Sequence, residues 1–278
     1  MRSTSVLPLL LALAAAPFSL GGCETTAPKT ALNYSADAKR AYDAAMEEFH
    51  AHNWIESQAL FRELKQKYSV SNYARLAELR IADADFEQDK FADSIREYRQ
   101  FVHDHREHPE VPYARARIAE SQYREIADSF LLPAGEERDQ ATIMDAYKEL
   151  KGYLHDYPEA KESKRMRELL ADVTSRLVMH ELYVARFYLD KDNYEAAIGR
   201  IQYALRNFAG GMIGPGGDVR DDSGLEAEAL LLMGEVYLKM HKWTEARESF
   251  VAIVKRYPNN ALVVQASNYL DYMQKRGV

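Results

Sequence analysis

Cysteine is nearly absent from this 278-residue chain, which carries only Cys23. That excludes an intrachain disulfide and removes the thiolates that a cysteine-rich metal site needs. Glycine and proline are scarce, at 13 and 9 residues, a composition that suits a helical array. Basic residues are not in excess: 36 Lys and Arg stand against 43 Asp and Glu, a formal charge of −7. A general nucleic-acid binder would carry a basic stripe instead, so no nucleic-acid partner is expected. Long apolar runs are missing too. The run from Val6 to Pro17 is too short to cross a bilayer comfortably, and behind Arg2 it has the form of the apolar region of a secretory signal.

What the chain does have is repetition. Ala45, Ala82 and Ala119 recur at one fixed interval, and Phe49, Phe86 and Tyr123 recur at the same interval four residues later. Trp54 matches Phe91, Ser57 matches Ser94, and Phe61 matches Tyr98. A further unit carries Ala185, Tyr188, Tyr194, Ala197, Ile201 and Ala204. Several columns holding one register predict a unit that cannot bury its apolar face alone and must stack on copies of itself.

The clearest unit runs from Leu225 to Pro258 and reads as two amphipathic helices around the turn at His241-Lys242. Gly234 and Ala246 are small enough to let the two backbones approach, with Tyr237, Trp243 and Phe250 around the contact. Pro258 ends the second helix, because proline lacks the N–H that a helix interior requires. The pattern resembles the tetratricopeptide repeat, an antiparallel helix pair of about 34 residues. The fold class expected is therefore all-α: a tetratricopeptide-repeat superhelix of about five antiparallel helix pairs with a C-terminal capping helix near 261–275. The repeated aromatics Trp54, Phe91 and Trp243 are expected in the core.

Taken in order, Leu20-Gly21-Gly22-Cys23 resembles the bacterial lipobox, in which cleavage precedes the cysteine and its sulfur takes a diacylglycerol. Cys23 is thus the expected lipidation site, anchoring a domain to a membrane surface, since each buried methylene contributes about 0.8 kcal/mol. By the same resemblance, the absence of aspartate after the cysteine points to the outer membrane. Residues 1–22 form the expected lipoprotein signal and 23–36 a lipidated tether, with Ser35 or Asp37 capping a first helix from about Ala38. Residues 37–160 hold three repeats, the third interrupted by an insertion near 124–139. Residues 161–278 hold two more repeats and the cap.

From Glu181 to Phe208 the string ELYVARFYLDKDNYEAAIGRIQYALRNF closely resembles the fourth repeat of the BamD family, the lipoprotein subunit of the outer-membrane β-barrel assembly machinery. Ala185, Phe187, Tyr188, Tyr194, Ala196, Ala197 and Arg200 carry the resemblance, and the third-repeat insertion before Arg138-Asp139-Gln140 matches the family layout. The chain departs from the pattern at Tyr68-Ser69, where the family has Tyr-Pro, and in the glycine-rich stretch 210–224. The resemblance implies a non-enzymatic, periplasm-facing scaffold without cofactors. Its implied partners are the BamA-like barrel insertase, other assembly lipoproteins and unfolded outer-membrane protein segments. The alternative is another envelope repeat lipoprotein, coordinating peptidoglycan synthesis, cell division or secretion.

Several constellations invite sharper chemistry. Gly210 to Gly217 lacks the preceding strand that a phosphate cradle needs. His103, His105 and His108 have spacing that could hold zinc, but they fall at a helix end where protonatable groups need no metal to explain them. No carboxylate pair stands in an apolar setting and no serine elbow is present, so no catalytic residue is assigned. By repeat register, Tyr42, Leu79, Asp83, Tyr113 and Glu120 would line a concave groove suited to an extended peptide. Arg200, whose stem can lie along the apolar side at Ala196 and Ala197, is the candidate partner-interface residue; an internal pair with Glu195 or Asp192 is the competing assignment.

Overall fold

The computed structural model describes residues 31–126, 140–208 and 225–278. Cys23, most of the third-repeat insertion and the stretch 210–224 lie outside the described residues. The described residues form eleven helices: α1 (Ala31–His50), α2 (Trp54–Lys67), α3 (Asn72–Glu87), α4 (Phe91–Asp104), α5 (Val111–Arg124), α6 (Ala141–Asp156), α7 (Ser163–Asp190), α8 (Tyr194–Asn207), α9 (Glu226–Lys239), α10 (Trp243–Arg256) and α11 (Leu262–Arg276). No strand occurs among them. Each odd-numbered helix from α1 to α9 pairs with the next, giving five stacked pairs, and α11 covers the last. The tetratricopeptide architecture expected from the repeat columns is the one observed. Among the described residues, no helix is long and apolar enough to cross a membrane.

The columns become crossings. Ala45, Ala82, Ala119, Ala146, Ala185, Ala197 and Ala246 are all fully buried, because a methyl side chain lets two helix backbones come close. Gly234 takes this further, since a Cβ built on it would sit 2.5 Å from the Phe250 ring. Phe61, Tyr98, Tyr153 and Phe250 fill the space beside those contacts and are fully buried. Trp54, Phe91 and Trp243 are only half-buried, which corrects their placement in the core. They open the second helix of a pair, where Trp54 and Phe91 set their rings edge-on against Phe49 and Phe86 at 5.0 and 5.4 Å.

Four turns share one geometry that no single column announces. His52, Asp89, Asp192 and His241 are left-handed, with φ of 61, 58, 52 and 58°. In each turn the next residue donates its N–H five residues back, Asn53 to Glu48, Lys90 to Asp85, Asn193 to Tyr188 and Lys242 to Tyr237, at 2.9 Å every time. This is a Schellman ending made without glycine, and it satisfies the last carbonyls of the first helix while reversing the chain.

One placement differs from the sequence reading. α1 begins at Ala31, inside the expected tether, so Ser35 and Asp37 lie within the helix and do not cap it. Residues 31–37 contain neither proline nor glycine to stop the helix, and Tyr34 packs edge-on against Tyr68 at 5.2 Å, so the extra turns are anchored. α7 is twice the usual length here, at 28 residues. Its apolar stripe joins α5 and α6 to α8 and α9, so one buried cluster runs from Ala116 to Val236 across residues 160–161.

Candidate functional site

Asp83 is the centre of a buried charged site. It lies on α3 with 2% of its surface exposed, between helices of three neighbouring pairs. Such burial of a carboxylate costs several kcal/mol unless donors surround it. They do: Arg80 pairs with one oxygen, while the other accepts from Tyr98 Oη and, at 2.7 Å, from Tyr113 Oη. Arg117 Nε lies 3.9 Å from that second oxygen.

The network then spreads along the stack. Arg80 Nε donates to Tyr42 Oη at 3.3 Å, tying α1 to α3. Arg117, on α5, donates to Tyr98 Oη at 3.3 Å and reaches Glu120 and Glu87 at 3.2 and 3.4 Å. Its guanidinium lies 3.6 Å from the centre of the Phe86 ring, a close cation–π contact. Burial, followed by the charge of Asp83, pushes the phenols of Tyr98 and Tyr113 well up, so both remain O–H donors at neutral pH. Arg80-Asp83 and Arg117-Glu120 are the same i,i+3 pair in successive repeats. Every charge here has a fixed opposite partner, an arrangement that holds helices in register.

Four of the five groove candidates therefore meet in one place, though not as the register implied. Tyr42, Tyr113 and Glu120 are half-buried members of the network and present part of their surface outward. Asp83 is corrected from groove-lining to buried, its side chain 3% exposed. Leu79 is corrected as well: it is fully buried in the cluster with Tyr98, Phe101 and Ile118. The physical reason is that α3 packs against α1, α2 and α4, while Tyr113 and Arg117 reach Asp83 from α5, so both residues face packed neighbours. The sequence reading missed Arg80, Tyr98 and Arg117. Their signal was available in the second, charged column, in which each arginine stands three residues before an acid in consecutive repeats.

Arg200 pairs across its own helix hairpin. Its Nη1 lies 3.2 Å from Oε2 of Glu181 on α7, and neither Glu195 nor Asp192 is that partner. The Glu181 side chain is 9% exposed and that of Arg200 44%. Glu181 falls within the buried stripe of Leu177, Val178, Leu182 and Ala185, so its carboxylate needs the cation that Arg200 supplies. The guanidinium is still exposed enough to meet a second acid.

The three histidines have different polar partners. His103 lies 2.9 Å from Asp104, His105 lies 2.8 Å from Glu78, and His108 Nδ1 accepts from the backbone of Glu110 at 3.2 Å. Among the described residues no group of three metal-ligating side chains comes together. Burial, followed by the neighbouring His105, holds the His108 imidazole below its usual range.

With this geometry in view, the profile of the outer membrane lipoprotein family (YfiO) matches residues 35–213, and that of a tetratricopeptide repeat matches residues 228–260. The chain is 23% identical over 254 residues to the outer membrane protein assembly factor BamD of Caulobacter vibrioides, covering 91% of this chain and 77% of that protein. It is 24% identical to BamD of Xylella fastidiosa over 243 residues, 85% of this chain and 78% of the relative. BamD of Neisseria gonorrhoeae is 21% identical over 257 residues, with 89% and 91% covered.

Proposed function

The chain belongs to the outer membrane lipoprotein family, and on that premise we propose that it is an outer membrane protein assembly factor acting as a helical scaffold. The observation that carries this is the family match over residues 35–213, falling on stacked helix pairs whose buried charged network around Asp83 holds helices together. It associates with the outer membrane.

The finer assignments follow from the same premise. Cys23 carries the lipid, and the repeats face the periplasm. No catalytic step is assigned to the protein, which works by holding other chains. The outward parts of Tyr42, Tyr113 and Glu120 meet extended segments of unfolded barrel proteins, aromatic surface supplying contact area and the carboxylate fixing register. The C-terminal pairs hold the BamA-like insertase, with Arg200 contributing its exposed guanidinium. That arginine already neutralises Glu181, so its partner must offer an acid that shares it.

Co-purification tests the reading. Tagged protein extracted in mild detergent brings down a large outer-membrane barrel, and depletion lowers barrel proteins as a class. Barrel proteins that persist at normal levels through depletion refute it. The Cys23→Ser variant loses acyl labelling and leaves the membrane fraction; wild-type protein found unlabelled in the soluble periplasm refutes the anchor alone.

A further inference from the structure

A second concavity, about 870 Å³ in volume, opens at the C-terminal end of the stack between α9, the start of α10 and α11. Glu235 and Lys239 line it from α9, Trp243 from α10, and Tyr269, Tyr272 and Arg276 from α11. Its charges are unevenly committed. The Glu235 carboxylate is taken internally, accepting from Tyr269 Oη at 3.0 Å and from Gln265 Nε2 at 3.3 Å. Lys239 and Arg276, by contrast, meet no carboxylate among the described residues, whereas Arg80, Arg117, Arg186 and Arg200 each do. The Arg276 guanidinium lies 4.7 Å from the centre of the Tyr272 ring, which holds the cation at the mouth with N–H donors to spare. Tyr272 is itself 43% exposed, an aromatic side chain turned to solvent.

We propose that this groove binds an extended segment of a partner protein in which acidic side chains flank an aromatic or aliphatic one. The apolar side chain enters between Trp243 and Tyr272, and its acidic neighbours reach Lys239 and Arg276. The volume matches a few side chains rather than a folded surface. Charge complementarity selects the occupant: the groove offers two uncommitted cations, and the one acid within it has already been satisfied. The inference rests on the scaffold reading only in giving the surface a protein partner.

The test uses the full chain in detergent with Trp54→Phe, which leaves Trp243 as the only indole of the two in the sequence. The probe is a synthetic peptide, acetylated and amidated at its ends, alternating aspartate with phenylalanine; controls replace aspartate by lysine, or phenylalanine by alanine. The acidic aromatic peptide shifts Trp243 emission saturably, and each control binds roughly tenfold or more weakly, as expected when both charge and aromatic contact contribute. Arg276→Glu and Lys239→Glu each weaken it by about tenfold or more, and Tyr272→Ala weakens it at unchanged charge. Circular dichroism checks that these exposed variants stay folded.

Equal binding of the lysine peptide, unchanged affinity in folded Arg276→Glu, or no saturable shift with the acidic peptide overturns the proposal. So does a shift produced only by vesicles of anionic lipid, which would make the groove a headgroup site. Co-purification of the barrel insertase by wild-type protein is read separately. If that succeeds while the peptide fails, the groove assignment alone falls; if it fails while the peptide binds, the scaffold reading falls.

Discussion

Replacing Asp83 with alanine removes the acceptor at the centre of four helices. Three donors lose it: the Arg80 guanidinium, the Tyr98 hydroxyl and the Tyr113 hydroxyl. Their fates differ. The Arg80 side chain is 25% exposed and keeps Tyr42 Oη as an acceptor, so water and the phenol offset part of its loss. Tyr113 is half-buried and can turn its hydroxyl to solvent. Tyr98 is fully buried and has no such escape, whereas Arg117 beside it keeps Glu120 and Glu87. Breaking a buried pair by removing one partner costs about 3–5 kcal/mol, and the partial exposure of Arg80 places Asp83→Ala toward the lower end. Asp83→Asn keeps one oxygen acceptor and should cost about half as much.

Urea unfolding followed by circular dichroism measures both variants. The double variant with Tyr98→Phe should fall short of the summed single effects by at least about 1 kcal/mol, because the stranded hydroxyl is then gone. Contacts in a stacked array are local, so amide exchange should quicken in α3 to α5 and stay unchanged in α9 to α11. A cost below about 0.5 kcal/mol for Asp83→Ala, the size of an ordinary surface change, would refute the claim that this carboxylate holds the first three pairs in register.

Other outcomes follow from single contacts. Arg200→Glu places two carboxylates across the α7–α8 hairpin and should destabilise the chain by about 3 kcal/mol, whereas on a Glu181→Gln background the same change should cost under about 1 kcal/mol; equal costs in the two backgrounds would rule out the pairing. Gly234→Ala should cost about 1–3 kcal/mol because its methyl meets the Phe250 ring, and a Phe250→Leu background should relieve most of that loss; an unshifted denaturation midpoint for Gly234→Ala would show that α9 and α10 are further apart. Burial, followed by the charge of Glu162, pushes the Tyr153 phenol up to about 12, and burial first and Asp83 second raise the Tyr98 phenol well above its ordinary value. Phenols whose folded pKa is raised add stability below the unfolded value, about 10, and lose it as pH climbs through the folded one. Stability should therefore fall above about pH 10, and less steeply in Tyr98→Phe. An identical alkaline slope in that variant counts against the buried phenol.

The sequence alone was enough to specify the stack, because small residues at helix crossings and aromatics beside them must recur wherever the same two helices meet. Ala45, Ala82 and Ala119 announced the crossings and Gly234 the close approach to Phe250, all from local spacing. Family membership was legible for the same reason, since the repeat string from Glu181 to Phe208 carries its own pattern. Which polar residues pair across helices was not legible, because partners lie 15 to 38 residues apart and spacing along one helix says nothing of its neighbour's rotation. Register alone put Leu79 and Asp83 on an open face; packing of α1, α2 and α4 around α3 put them inside. It likewise left Arg200 with two nearby acids in sequence, while antiparallel packing of α7 on α8 brought Glu181 to it instead. Local periodicity determines where helices form and meet, but the charge network depends on how each is turned about its axis, and only the packed tertiary structure decides that.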